Sequence, residues 1–561
     1  MNIKTEINNL IIEALENLNL EKVDFVVEHP ENFDNGDYST NVAMVLAKKE
    51  KQKPKDLAQK IVEKILEDNS RHYVEDIQVA GNGFINFYLD KKFFVEQTEK
   101  ILKEKEDWGK NELGDKKKII VEYSSPNIAK PFTVGHLRST IIGDAISNIL
   151  IFSGFEVIRD NHIGDWGTQF GKLMVAINKW GDIKQIEKSE NAIKLLSELY
   201  IKFHEEAEKN PELEDEARAS FKKLEQKDEE YINIWKKCVE LSKKEFERIY
   251  FKLNVSQFDS TNGESFFEDK MKEVLDDVKQ KNIGKESEGA FIIEFPEEKK
   301  LSPLLLLKKD GSSLYGLRDL ATDKWRKKIY GDDIKIINEV GSEQTEYFRQ
   351  IFEAEEMLGY FKKDQRIHVA HGLYRFLDGK MSTRKGNAIW LDDIIKEAEK
   401  RAGEINPETR EMVALGALKF NDLKRDSLKD IVFNWEEILN IKGDSGAYLQ
   451  YTAVRANSIV ENSVGLSLHD KKEIPEEIIN LERMLYRFPE LVERSSEEFT
   501  AHHIASYLVQ ISSEFNNFYA NTKILDEENR FAGYHLDLVK AFFQTTKNAL
   551  NLLGIQIPVK M

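Results

Sequence analysis

Apolar residues recur at helical spacing from the start of the chain. Ile3, Ile7, Leu10, Ile11, Leu15 and Leu18 share one face, which predicts a helix over residues 1–20. Further helices are expected at 39–49 and 54–69, with the turn-rich segment ENFDNGDYST nearby. VEDIQVAGNGFINFYLD alternates apolar and polar positions around Gly-Asn-Gly, the signature of a hairpin. These elements make a small α+β domain over residues 1–95, and a charged helix at 93–105 leads out of it. The pattern then changes. KKKIIVEYSS reads as a buried strand, residues 135–153 as a helix and 155–159 as a second strand, the opening of a parallel α/β sheet. Further strands are expected at 290–295, 313–317, 334–340 and 367–370. Helical periodicity interrupts this at about 181–255 and returns from 401 onward. The expected class is multidomain α/β: a Rossmann-like parallel-sheet domain over 96–400 with a helical insertion, a helical connector at 401–440, and an all-α domain at 441–561.

Charge narrows the function. The 561 residues carry 82 Lys+Arg against 100 Asp+Glu, a net charge of −18, which argues against a general polyanion binder. The charge is unevenly spread. Residues 181–230 hold 15 acids and 9 bases, whereas 361–387 hold seven Lys/Arg and two Asp; 441–561 is near neutral. Nucleic-acid binding, if present, has to be local. A single cysteine, Cys238, excludes an internal disulfide framework and a multi-cysteine zinc site. The N-terminal segment lacks a signal peptide's apolar core, and the apolar run Leu304–Leu307 is far too short to span a bilayer. A cytoplasmic, non-membrane protein is the expectation.

Two loops carry candidate chemistry. SSPNIAKPFTVGHLRST joins a strand to a helix. Pro126 and Pro131 stiffen it, Gly135 allows close backbone approach, and His136, Lys130 and Arg138 stand near a helix N-terminus that suits a phosphate. An ordinary βα turn with a surface histidine has the same spacing. DGKMSTRKGN sets Lys380, Ser382, Thr383, Arg384 and Lys385 between Gly379 and Gly386, a loop whose cations can meet a phosphate that gains charge in a transition state. A solvated basic turn has the same composition.

GHLRST and KMSTRKGN resemble the two signature motifs of class I aminoacyl-tRNA synthetases, known as HIGH and KMSKS. SSPNIAKPFTVGHLRSTIIGDAI, HIGDWGTQFGKL, SLYGLRDLATDKWR, VGSEQTEYFRQIF and AHGLYRFLDGKMSTRKGN occur in the order found in arginyl-tRNA synthetases. GDYSTNVAMVLAK and GNGFINFYL resemble that family's additional N-terminal domain, and the ending FYANTKIL…LNLLGIQIPVKM its anticodon-binding domain. The likeness covers nearly the whole chain except the acidic insertion. Two departures stand out: Thr133 replaces the first histidine of HIGH, and Thr383 the second lysine of KMSKS.

The resemblance implies ATP-dependent activation of L-arginine to arginyl-adenylate, release of pyrophosphate, and transfer to the 3′ end of tRNA(Arg). ATP would bind with Mg²⁺, no structural metal is called for, and the expected form is a monomer. For ATP and catalysis the implied residues are Pro126, Asn127, Lys130, Thr133, Gly135, His136, Lys380, Met381, Ser382, Thr383 and Lys385. Lys130 precedes the first motif as in arginyl enzymes and would supply the charge lost at Thr383. Glu122 and Asp319 would meet the guanidinium, Tyr315 would pack on or bond to it, and Asn127 and Gln344 would hold the amino acid's polar end; Asp319 could instead cap a helix. His162, Asp165 and Gln169 could line the same crevice, with Trp166 as packing. His368 and His371 lack a carboxylate suited to a metal. For tRNA the candidates are Phe84, Asn86, Tyr451, Arg455, Phe518 and Met561. Three rivals remain: a nucleotidyltransferase acting without tRNA, a non-catalytic RNA-binding paralogue, and a synthetase for another amino acid. The C-terminal helices oppose the first, and Gly135, His136, Lys130 and Lys380 oppose the second. Of the third group, the cysteine-specific relative needs a zinc site that one cysteine cannot build.

Overall fold

A computed structural model describes residues 3–67, 72–309, 311–375, 390–403, 407–438, 440, 443–468 and 473–561. Contacts divide the chain into two compact units. One gathers Met1–Trp108, Arg455–Phe488 and Gln510–Thr546; the other gathers Gly109–Val454, Pro489–Val509 and Lys547–Met561. The block expected as one domain at 441–561 is therefore shared between the two.

The first unit begins with helix α1 (Ile3–Asn17), strands β1 (Val27–Glu28) and β2 (Tyr38–Thr40), and helices α2 (Val42–Glu50) and α3 (Pro54–Leu66). The hairpin β3 (Val74–Ala80) and β4 (Phe84–Leu89) and helix α4 (Lys91–Glu104) follow. The sheet runs β1-β2-β4-β3 and is antiparallel throughout. Residues 39 and 40, expected to open a helix, belong instead to strand β2. They pair with β4, and Ser39 Oγ donates to Asn86 Oδ1 at 2.7 Å. The unit's core takes in Tyr486 from the C-terminal region, packed edge-on against Phe93.

In the second unit four parallel strands run in the order β11-β10-β5-β6: β5 (Lys118–Glu122), β6 (Glu156–Asp160), β10 (Lys335–Gly341) and β11 (Arg366–His371). Helix α5 (Val134–Phe152) connects β5 to β6. Helix α6 (Thr168–Trp180) leads into the acidic insertion, which is built of α7 (Ile183–Glu187), α8 (Ala192–Lys209), α9 (Glu212–Glu225) and α10 (Glu229–Lys252). The inner faces of these helices join the core around Phe170, Leu196, Leu224 and Phe246. Helix α11 (Met271–Gln280) precedes an antiparallel three-stranded sheet, β7 (Gly284–Ser287), β8 (Ala290–Ile293) and β9 (Leu304–Leu307). The strand expected at 313–317 is absent. Only Ser313 bridges to Leu307, and helix α12 (Tyr315–Tyr330) begins two residues later. The strand lies instead at 304–307, an apolar run too short to show alternation. Helix α13 (Thr345–Leu358) links β10 to β11; β12 (Tyr374–Arg375) pairs with β13 (Ile431–Val432). Helices α14 (Leu391–Arg401), α15 (Pro407–Leu423) and α16 (Trp435–Ile438) pack behind the sheet's first crossover. The remaining helices are α17 (Gly446–Asn462), α18 (Asn480–Leu485), α19 (Phe488–Glu497), α20 (His502–Asn521) and α21 (Ala532–Leu552). No described helix is long and apolar enough to cross a membrane.

The parallel sheet positions the site. From β5 the chain crosses to β6 on one side, and from β10 to β11 on the other. The reversal falls between β5 and β10, where open α/β sheets leave a crevice at the strands' carboxyl ends.

Candidate active site

A cavity of about 640 Å³ occupies that crevice, lined by Glu122 from β5, residues 338–341 from β10 and His371 from β11. One wall is the loop between β5 and α5. Ser124, Ser125 and Ala129 hold left-handed backbone conformations with φ of 70°, 41° and 57°. Such geometry persists where neighbours enforce it. Here the Ser124 N–H donates to Ser139 Oγ (2.9 Å), the Ser125 N–H to Asn161 Oδ1 (3.1 Å) and the Ala129 N–H to Ser242 Oγ (2.8 Å).

At the start of α5, the Thr133 N–H donates to His136 Nδ1 at 3.1 Å, and Thr133 Oγ1 lies 3.1 Å from the same nitrogen. Nδ1 is thus an acceptor, which leaves the ring hydrogen on Nε2. Burial, helped by the charge of Lys130, pushes the His136 pKa down to about 4, so the ring is a neutral donor at physiological pH. A Cβ on Gly135 would meet only Thr133 Oγ1, at 3.6 Å. Among the described residues no close packing demands glycine there, and Gly135 lines the cavity.

The opposite wall is acidic. Asp319, four residues into α12, accepts a hydrogen bond from the Tyr347 hydroxyl, and burial raises its pKa. Glu264 lies 3.7 Å from Arg318; burial outweighs that cation and pushes its pKa up to about 7. Glu122 is ion-paired to Arg326 at 2.6 Å. Tyr315 stands at the rim, 54% exposed, and Gln344 is exposed on the turn before α13. His162 packs against Phe267 with ring centroids 5.6 Å apart. His371 Nδ1 lies 2.7 Å from Glu339 Oε1, so a carboxylate does stand beside this histidine; no group able to hold a metal occurs among the described residues.

The cavity therefore gathers Glu122, Asn127, Thr133, Gly135, His136, His162, Tyr315, Asp319 and Gln344 from the expected residues. Others lie outside its lining. Asp165 is consumed by Ser265, accepting from its N–H and Oγ at 2.8 Å each, and Gln169 donates to the Trp166 carbonyl. Pro126 is buried, its carbonyl accepting from the Gly164 N–H. Lys130 lies over the Tyr200 ring of the insertion, 5.7 Å from its centroid. Trp166 packs edge-on between Phe221 and Trp235. Lys380, Met381, Ser382, Thr383 and Lys385 lie outside the described residues.

Part of the expected phosphate charge is spent inside the fold. Arg138 is 1% exposed and donates to the carbonyls of Gly372 (2.8 Å), Ser427 (2.9 Å) and Lys429 (2.9 Å) while pairing with Asp422 (3.2 Å). Arg366 is buried between Asp323 (2.6 Å) and Glu355 (2.9 Å), and Arg375 pairs with Asp430 (2.5 Å). The basic island at 361–387 is thus partly internal.

Sequence reasoning missed Glu264, Tyr347, Glu339 and Arg326. Tyr347 follows Gln344 by three residues in VGSEQTEYFRQIF, a spacing that puts both on one helical turn. Glu264 reaches the cavity from beyond the insertion and carries no local signal.

Of the tRNA candidates in the first unit, Phe84 is 39% exposed, whereas Asn86 is buried in its bond to Ser39. Arg455 donates to Asn516 Oδ1 at 2.6 Å and lies over Tyr519, and Phe518 is buried edge-on to His535. In the second unit Tyr451 is 41% exposed and Met561 partly so.

Comparison with known proteins agrees with this architecture. The catalytic-domain family "tRNA synthetases class I (R)" matches residues 97–435, the "Arginyl tRNA synthetase N terminal domain" matches 2–89, and the "DALR anticodon binding domain" matches 449–561. The fold is that of a class I aminoacyl-tRNA synthetase. An arginine–tRNA ligase of Lactobacillus johnsonii is 41% identical over 580 aligned positions, covering all of both chains, and one of Halothermothrix orenii is 39% identical, covering 100% and 99%. Among solved structures, arginyl-tRNA synthetase of Plasmodium falciparum superposes with a TM-score of 0.82 at 25% identity over the full length of both chains. That of Thermus thermophilus gives 0.78 at 23%, a likeness of fold, again over both full chains. The chain belongs to the arginyl-tRNA synthetase family.

Proposed function

We propose that this cavity activates L-arginine with MgATP and passes the arginyl group to tRNA(Arg), in a cytoplasmic monomer. The carrying observation is its polarity: Glu122, Asp319 and Glu264 form one end, and the neutral donors Thr133 and His136 at a helix N-terminus form the other. Arginine lies with its guanidinium at the acidic end, and the α-phosphate of ATP lies by α5. The substrate carboxylate attacks that phosphorus in line. A carboxylate O–P bond forms, the bond to the β-phosphate bridge breaks, and pyrophosphate leaves. A ribose hydroxyl at the tRNA 3′ end then attacks the arginyl carbonyl and expels AMP.

No protein nucleophile is required; catalysis is positioning and charge stabilisation. His136 donates Nε2–H to a phosphate oxygen without itself carrying charge. Mg²⁺ bound with ATP would supply charge neutralisation for the phosphates, with no metal-holding cluster among the described residues. Lys130 supplies a cation that Thr383 cannot, and Asn127 and Gln344 hold the amino-acid end. The helices at 449–561 take the anticodon, Tyr451, Arg455, Phe518 and Met561 being the candidates. Arginine-dependent exchange of pyrophosphate into ATP, measured with and without tRNA(Arg), tests the reading. Exchange is expected with arginine alone among the amino acids; no exchange under either condition rejects it.

A further inference from the structure

We propose that Arg326 is a positioning residue of the arginine site: its guanidinium reserves one oxygen of Glu122, so the substrate meets one oxygen of Glu122 beside one oxygen of Asp319. The proposal rests on the arginine-activating reading above.

Glu122 and Asp160 are register partners at the carboxyl ends of β5 and β6, so their side chains emerge on the same face. Two adjacent carboxylates repel, and each would otherwise turn toward solvent or substrate. Arg326 lies between them. Its Nη2 meets Glu122 Oε2 at 2.6 Å and also meets Asp160, and its Nη1 donates to Asp323 Oδ1 at 2.8 Å. Arg366 of β11 holds the same Asp323 at 2.6 Å, which ties this knot to the far edge of the sheet. Arg326 is 2% exposed, and burial opposes its charge, but Asp160, Glu122 and Asp323 outweigh that and keep it protonated.

Asp319, Asp323 and Arg326 fall at i, i+4 and i+7 on α12. One helix face therefore carries a substrate carboxylate and the cation that aims the other one. On Asp319, Oδ2 is taken by the Tyr347 hydroxyl. No described residue hydrogen-bonds Glu122 Oε1 or Asp319 Oδ1. The two carboxylates thus offer one oxygen each, a split pair that reads two nitrogens of a planar guanidinium and that an ammonium or a ureido group cannot match. A cation serving only to neutralise buried acids would be indifferent to which oxygen of Glu122 it held.

The test is arginine-dependent pyrophosphate exchange with tRNA(Arg) present, using the full chain, Arg326→Lys, and the double variant Arg326→Met with Asp160→Asn, which removes the cation with one of its carboxylates. Absence of exchange in the unaltered protein would refute the activation reading itself. Given exchange, Arg326→Lys is expected to raise the arginine KM about tenfold while the ATP KM stays within about twofold. The double variant should recover the melting temperature without recovering the arginine KM. An unchanged or lower arginine KM in a folded variant, or a parallel rise of both KM values, overturns the proposal. Failure of both variants to fold overturns it too, because Arg326 would then be a folding element.

Discussion

At the end of the cavity bounded by Thr133 and His136, the described donors are neutral, and the nearby guanidinium of Arg138 is spent on internal carbonyls. At the end bounded by Glu122, Asp319 and Glu264, carboxylates are in excess, and an internal arginine is needed to hold them. On the proposed function, the difference follows from what each end has to do. A phosphate in the ground state is already highly charged, and fixed cations around it would stabilise substrate and transition state alike, which does not speed the chemical step. A guanidinium keeps its charge throughout, so its partners can be permanent. Selection belongs in the rigid end, and rate belongs in groups that engage late.

Four substitutions test that contrast. The largest effect is expected from Asp319→Asn. It leaves the guanidinium short of a charged partner and should lower kcat/KM for arginine by about 10³-fold or more; a change under about threefold in exchange assays would remove Asp319 from the arginine site. Arg138→Met comes next and reports on stability. It strips Asp422 of its buried partner, which costs about 3–5 kcal/mol; an unaltered melting temperature would show the joint to be dispensable. Lys130→Ala should lower kcat for adenylate formation by about 10²-fold with little effect on the arginine KM; equal rates in both proteins would end the idea that this lysine replaces the cation missing at Thr383.

The smallest effect is the pH response of Glu264. Its pKa is raised from 4.5 to about 7. In the folded cavity it is largely protonated at pH 6 and ionised at pH 8, so the arginine KM should fall a few-fold over that interval as a negative charge appears. Glu264→Gln should flatten the curve. The stability sign is fixed by the same shift: the contribution is full below 4.5 and is lost as pH rises through 7. His136 runs the opposite way. Its pKa is lowered from 6.5 to about 4, so its contribution is full above 6.5 and is lost as pH falls through 4. Thermal melts of the unaltered protein and the Gln variant between pH 4 and 8 separate the two.

How much of this could be read from residues alone depended on distance along the chain. The loop from Ser124 to His136 was legible because a strand, two prolines, a glycine and a helix start are local features. Asp319 and Tyr315 were legible by resemblance and fall one helical turn apart, as their spacing required. Glu264, Arg326 and Glu339 were not, because each reaches the cavity from an element that only the folded sheet brings there. Charged residues also mislead in a consistent way. Arg138 looked like a phosphate-binding group, Asp165 like a crevice group, and Arg366 counted toward the basic island, yet all three are buried and partnered by the protein's own atoms. Sequence shows that a charge exists, and only packing shows whether it is already answered.

Arg138 grips Gly372, Ser427 and Lys429 through main-chain oxygens, not through their side chains. Arg138 therefore makes no demand on the side chains of this turn, and exposed Leu428 could become polar without loosening the attachment between the first signature helix and the root of the second signature segment; Ser427 is held separately, its Oγ donating to the Ala370 carbonyl at 2.8 Å. What the turn cannot accept is a change of length. A one-residue insertion or deletion there would slide the carbonyls out of reach of a guanidinium whose fork is rigid, so Leu428 and Lys429 should tolerate substitution far better than the turn tolerates a change in spacing.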